Sequence, residues 1–460
     1  MTWLDLENAF GSVPHSFILG AIERAGVPES TAALVSDLYT GSTSTIRVES
    51  GWTDPIPMRA GVRQGCPLSS ILFNLTLEQI LRTGHPSDAG FELYSNTVSC
   101  LAYADDLLII DSYSAGLQRT VDSLSIQANK AGLKFKLAKC ASLSFSFASH
   151  RRHLDPTPIR VNGVPITNIM DQDAYKYLGF RVGFSYRQDH GDFFRGISTD
   201  VEKVSESLLA PWQKLAAIRA HVLARVEFLC RNSHIQKRDV ADLDKTLVRV
   251  DKKILNLPTR ANNNLVHLSC NKGGAALPEF RSFLDIHAVS HAFRLLASND
   301  PTISGVAAAS QRSVVRKKLL RDPTPGECCD FLNGKKDGDF ARESGDISSK
   351  WSRARHAFQR LSSALRLEWL FVEETGYHLN IYRSPNPVCV SPSSAGLVVR
   401  ILRDEMESHF ISQLAGLVDQ GETIKAFSSH PASNQFLQAG DFTRFCDWNF
   451  FTEPVWVASS

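Results

Sequence analysis

Residues 98–111 read VSCLAYADDLLIID, and the rest of the chain is organised around them. Two acidic residues, Asp105 and Asp106, stand between two apolar runs, 98–104 and 107–110. Both runs are rich in branched and aromatic residues and have strand length. A two-residue acidic turn between them predicts a β-hairpin with a carboxylate pair at its tip. Charge wedged between apolar strands is costly unless it is paired or metal-bound. The pair therefore points to a hard cation such as Mg2+, with a plain Asp-rich turn as the alternative on this stretch alone.

Composition narrows the class. The chain has 460 residues, 43% hydrophobic and 21% charged, enough apolar material for two or three domains. No apolar run is long enough to span a bilayer, and the N-terminus lacks the basic-then-apolar pattern of a secretory signal peptide. A net charge of +2 means that any nucleic-acid surface is local. The nine cysteines form no C-x2-C pair and have no His at zinc-ligand spacing. They read as buried or free thiols of a reducing compartment.

In chain order, residues 3–6 (WLDL) form a strand carrying Asp5, and Ser12 and Pro14 open a first helix. Residues 61–69 (GVRQGCPLS) hold two glycines that let a backbone approach another chain or ligand. Pro67 then begins a long helix with Leu68, Ile71, Leu72 and Leu75 on one face. Leu117, Val121, Leu124 and Ala128 mark another helix, and 175–180 (YKYLGF) reads as a strand within a hairpin. This mixture predicts an α+β domain, an antiparallel sheet with helices on one face. From about 196 the pattern turns helical, and 201–260 carries 12 Lys and Arg against 7 Asp and Glu. That balance fits a solvated face as well as a nucleic-acid surface. Residues 321–350, rich in Gly, Asp, Lys and Ser, predict a flexible segment.

If the strand with Asp5 lies beside the acidic hairpin, three carboxylates converge. Such a cluster can hold two Mg2+ ions about 4 Å apart, the arrangement that serves in-line phosphoryl transfer.

Five stretches carry a family resemblance: 5–15 (DLENAFGSVPH), 61–69, 102–106 (AYADD), 132–139 (GLKFKLAK) and 177–179 (YLG). Their order and spacing resemble the palm motifs of reverse transcriptases, most of all the non-LTR, R2-like retrotransposon branch that inserts into ribosomal RNA genes. The likeness extends to 212–215, 254–258 and 273–278, and to 436–450 near the C-terminus. It implies a right-hand polymerase palm over 1–195, an α-helical thumb over 196–280 and a helical linker region over 281–460. The implied reaction is RNA-templated DNA synthesis from dNTPs on a DNA primer, with Mg2+, or Mn2+ in its place.

The resemblance also assigns roles. Asp5, Asp105 and Asp106 are the catalytic carboxylates and metal ligands, with the backbone carbonyl of Leu6 adding a further ligand. Phe10 stands under the sugar and selects deoxynucleotides. Gln64, Gly65 and Lys139 border the incoming nucleotide. Tyr177, Leu178 and Gly179 form the primer grip.

The fingers that precede the first catalytic strand in this family, its N-terminal DNA-binding fingers and its C-terminal endonuclease have no counterpart here. The expectation is an interior piece of a larger polyprotein, with an open sheet edge beside Asp5. A catalytically inactive nucleic-acid-binding remnant is the alternative. The family implies a nuclear location, and Arg316-Lys317-Lys318 is a weak targeting signal.

Overall fold

The computed structural model describes residues 1–415 except 50, 87, 149–150, 187–188, 234, 273, 342–347 and 383–387. Beyond 415 it describes only the strands Val418–Asp419, Thr423–Ile424 and Leu437–Gln438, so the likeness over 436–450 falls almost wholly outside the described residues. The chain divides into two units, Met1–Gln188 and Asp189–Ser460, a boundary a few residues before the expected 195/196. Both helix and sheet build the described chain, as the α+β reading requires.

The first unit is built on a five-stranded sheet of β1 (Thr2–Asp5), β2 (Cys100–Tyr103), β3 (Asp106–Ile109), β4 (Ala141–Ser142) and β5 (Thr167–Asn168), in spatial order β5-β4-β1-β3-β2. All neighbours are antiparallel except β4 and β5, so the sheet is mixed at one edge rather than wholly antiparallel. β1 is its central strand. The sheet edge expected beside Asp5 is therefore not there, because β3 and β4 pair with the two sides of β1.

Successive strand residues point to opposite faces. Leu4, Leu107 and Ile109 join one buried core, while Trp3, Leu108, Ala141 and Ile169 join another on the opposite face. The first core is filled by α1 (His15–Arg24), α2 (Glu29–Tyr39), α3 (Ser69–Gly84) and α4 (Ser114–Lys130). α4 forms because Leu117, Val121, Leu124 and Ala128 recur at helical spacing, and all four are buried. α1 begins at His15 after Pro14, so Ser12 caps nothing and instead ends a single turn, Ala9–Ser12. α3 begins at Ser69, two residues after Pro67.

In the second unit, α5 (Gly191–Glu206), α6 (Ala224–Asn232) and α7 (Lys237–Ile254) share a core with the start of α8 (Phe280–Leu296). Val240, Leu243, Leu247, Val250 and Ile254 form the buried stripe of α7. The rest of α8 packs in another core with α9 (Pro301–Leu319), α10 (Pro325–Leu332), α11 (Lys350–Leu361) and α12 (Val398–Ala415). One continuous helix thus starts at the expected 280/281 boundary and belongs to both cores.

Two expectations are corrected here. Residues 321–350 are not a flexible segment over their described part: α10 lies within them and buries Cys328, Cys329, Phe331 and Leu332, and Phe340 is buried too. The polar composition that suggested a linker surrounds an apolar stripe that the core needs. Nor is 281–460 purely helical. Arg366–Val372, Gly376–Tyr382 and Val388–Val390 form a three-stranded antiparallel meander that buries Trp369, Leu379, Ile381 and Val390. The eight described cysteines are free thiols, as expected.

Candidate active site

The register of the central strands sets the site. Leu4 pairs with Leu107 and Asp5 with Asp106 across β1 and β3. Residues directly opposite each other in an antiparallel pair project from the same face. Asp5 and Asp106 therefore share the face of Trp3 and Leu108, away from the helices that cover Leu4 and Leu107. Two carboxylates far apart in sequence meet because the apolar alternation of both strands fixes their register.

The hairpin differs in detail from its expected form. Tyr103 pairs with Asp106, so the two-residue loop is Ala104-Asp105 and Asp106 is the first residue of β3. Ala104 takes φ 52°, the left-handed value demanded at the first position of a type II′ turn. Asp105 is thus held in the turn itself, next to the Asp5–Asp106 pair.

A second segment reaches the same point. Leu6 bridges Phe135, flanked by hydrogen bonds from Lys136 N to Asp5 O (2.8 Å) and from Glu7 N to Lys134 O (2.8 Å). In this pattern the ladder bonds bracket Leu6 and leave its own carbonyl directed away from Phe135. The chain then turns through Leu137–Lys139, and Lys139 Nζ lies 3.1 Å from Asp5 Oδ2.

Electrostatics tie these groups together. The Asp106 carboxyl is held above the ordinary range, first by burial, then by the negative charges of Asp105 and Asp5. Lys139 is raised, first by its hydrogen bond to Asp5 and then by that carboxylate's charge, with smaller effects of Asp105 and Asp106. The cluster carries three carboxylates against one nearby ammonium. A hard-oxygen donor set with surplus negative charge has the chemistry a divalent ion fits. Among the described residues, no three His, Cys, Asp or Glu side chains are grouped closely enough to cage an ion as they stand. Lys139 occupies the Asp5 carboxylate instead.

The remaining predicted residues surround this centre or lie further off. Phe10 is half-buried, its ring 4.4 Å from that of Phe73 on α3. Its backbone carbonyl accepts from Val62 N at 2.7 Å, which ties the segment 61–65 beside it. Gln64 and Gly65 are exposed. The close approach expected of the two glycines is made by Gly61, and its neighbour is the protein's own Gly11: a Cβ at Gly61 would lie 2.9 Å from Gly11 O. Leu178 and Gly179, both at positive φ (48° and 84°), form the tight turn between Tyr175–Tyr177 and Phe180–Val182. Tyr177 Oη donates to Leu101 O at 3.5 Å, which links this hairpin to the acidic one.

Sequence reasoning passed over Tyr175. Its ring stacks on Trp3 at 5.0 Å between centroids, covering the sheet face that bears Asp5. Burial pushes its phenol up to about 12, with Asp5 next among the causes.

Residues 1–182 match the family model described as reverse transcriptase (RNA-dependent DNA polymerase). This stretch is similar to reverse transcriptase domains, and the relatives it resembles are R2 elements. The chain is similar to the Pol polyprotein of a type-1 R2 retrotransposable element of Popillia japonica, 30% identical over 60% of this chain and 39% of that protein. It is also similar to the type-1 R2 polyprotein of Nasonia vitripennis, 26% identical over 77% of this chain and 35% of that protein. The type-2 element R2DM of Drosophila melanogaster gives 28% identity over 69% and 30%. The chain thus spans 30–39% of the length of these three relatives. No helix among the described residues is long and apolar enough to cross a membrane.

Proposed function

We propose that the chain is an RNA-directed DNA polymerase that adds deoxynucleotides to a primer 3′-hydroxyl along an RNA template. The observation that carries this reading is the pairing of Asp5 with Asp106 on the sheet face away from the helices, with Asp105 in the adjoining turn. In the reaction the 3′-oxygen attacks the α-phosphorus of a dNTP. A new phosphodiester bond forms, the bond to the β-phosphate breaks, and pyrophosphate leaves with its electron pair.

Asp5 and Asp105 would hold divalent ions, Mg2+ or Mn2+, with Asp106 and the Leu6 carbonyl beside them. Bound ions supply positive charge to the attacking and leaving oxygens. The protein's own residues position the reactants. Phe10, fixed against Phe73, would stand under the sugar and exclude a 2′-hydroxyl. Gln64 and Gly65 would border the base pair, and the Leu178-Gly179 turn would grip the primer. Lys139 would leave Asp5 when the ions enter and face the triphosphate. Residues 1–195 would serve as palm, 196–280 as thumb and 281–460 as linker region. Nuclear location follows if the substrate is a chromosomal target.

Primer extension on an RNA template with Mg2+ tests this. The wild-type chain should extend and Asp105→Asn should lose at least about a thousandfold in rate. The Lys139–Asp5 ion pair favours a second reading, a nucleic-acid-binding remnant whose carboxylates have lost their ions. RNA binding without extension at any Mg2+ or Mn2+ concentration would establish that instead.

A further inference from the structure

The second unit holds a cleft that the polymerase reading does not use. It has a volume of about 390 Å3 and opens among α6, α7, α8 and α11. Arg231, Lys237, His291, Lys350, Arg353 and Arg360 line it. Among the described residues the one acid on its wall is Asp285, only 4% exposed and already saturated. Arg360 Nη2 donates to its Oδ1 at 2.7 Å, and Lys237 Nζ to its Oδ2 at 2.5 Å. Arg231 pairs with Glu227 on its own helix.

Lys350 and Arg353 are left over. Lys350 Nζ meets His291 Nε2 at 3.1 Å, and neither cation has a carboxylate partner among the described residues. Both stand in the first turn of α11, which has no acidic residue. The positive end of a helix dipole disfavours cations there. Deeper in the wall, His287 is 3% exposed and its Nε2 has no hydrogen-bond partner. Burial pushes His287 down to about 3, with Arg231 next among the causes. Burial likewise pushes His291 to about 4, helped by Lys350. Lys350 too is lowered, by burial and by Arg353. Lys350, Arg353, His287 and His291 thus share a positive field, and among the described residues the acid on the wall, Asp285, is paired with Arg360 and Lys237 instead.

We propose that this cleft is a binding site for a phosphate oxyanion. Arg353 and Lys350 would supply the charge, the start of α11 a favourable dipole, and His287 a hydrogen bond. The volume admits a pyrophosphate or one nucleotide's phosphate. The phosphate can come free from solution or from the backbone of a bound strand. The proposal does not depend on catalysis at Asp5 and Asp105.

The test uses the full chain in EDTA, with pyrophosphate binding followed by calorimetry and short single-stranded RNA as competitor. Saturable binding should weaken about tenfold or more in K350E/R353E, and by less in K350Q/R353Q. Carboxylates suit the first turn of a helix, so the thermal melt should hold. Asp105→Asn should bind like wild type, which separates this site from the polymerase centre. Competition by RNA identifies a backbone phosphate, and its absence a free anion. Lack of saturable binding by either ligand, or wild-type affinity in K350E/R353E, would overturn the proposal.

Discussion

Gly61 and Gly65 offer a paired perturbation in which stability and activity separate. Both residues sit at positive φ, 88° and 82°. An alanine at either must adopt the left-handed region, at a cost of about 1–2 kcal/mol. At Gly61 a second cost is added. Its Cβ would stand 2.9 Å from Gly11 O and 3.0 Å from Gly11 Cα, both backbone atoms that no rotamer change can move. Overpacking of that kind costs about 1–3 kcal/mol. Gly61→Ala should therefore destabilise by roughly 2–5 kcal/mol in total, the sum of these two ranges. Gly65 has nothing within 4 Å of the same position, so Gly65→Ala should lose only the first part. Hydrogen exchange reads this locally: peptides spanning 9–15 and 56–73 should lose protection in Gly61→Ala and keep most of it in Gly65→Ala. Primer extension should show the reverse ranking per folded molecule, with Gly65→Ala losing about tenfold or more if Gly65 borders the nucleotide. Equal protection in the two variants would refute the packing argument. Full extension by Gly65→Ala would remove Gly65 from the nucleotide site.

Other outcomes follow from the same geometry. With Phe10 proposed as the residue under the sugar, Phe10→Val should raise the ratio of ribonucleotide to deoxynucleotide incorporation at least about tenfold; an unchanged ratio would show that Phe10 is only a partner of Phe73. Asp251, on α7, is fully buried with both carboxylate oxygens unpartnered, and burial raises it to about 8. A carboxyl raised in the folded state binds its proton more tightly there, so its contribution is full below the ordinary value of 3.8 and is lost as pH rises to about 8. Urea unfolding of the second unit should weaken across that window by up to about 1.4 kcal/mol per pH unit, and Asp251→Asn should flatten the profile.

The hairpin and its central partner strand were legible because alternation is a local signal. Leu4, Leu107 and Ile109 declare one face, and Asp5 and Asp106 must then share the other. Motif order supplied what spacing alone left open. The exact turn was not legible: Ala104-Asp105 rather than Asp105-Asp106 forms the loop, because Asp106 completes the pairing with both Tyr103 and Asp5. The partner of Gly61 was not legible either, since a glycine's need for space does not say which backbone fills it. Polar composition over 321–350 misled because Cys328, Cys329, Phe331 and Leu332 supply enough apolar surface for one buried turn amid charged neighbours. The stacking of Tyr175 on Trp3 is a contact between residues 172 positions apart, and no local pattern encodes such a pairing.

Lys139 shows how the site balances its charge. A carboxylate pair fixed by strand register cannot separate without breaking the ladder that buries Leu4 and Leu107. The repulsion must therefore be met by a proton or a cation. The ammonium of Lys139 on Asp5 meets part of it, and the Asp106 carboxyl is raised, by burial first and by the charges of Asp105 and Asp5 next. Lys139 is well suited to a temporary role: its side chain is 57% exposed, against 14% for Asp5, so it can swing into solvent while the carboxylate stays. A monovalent ammonium offsets one negative charge of three, whereas two divalent ions would offset all of them and leave charge for substrate phosphates. The same backbone that holds Asp5 toward Asp106 brings Lys136 and Leu137–Lys139 alongside it, so the counter-ion is delivered by the strand geometry that creates the need for one.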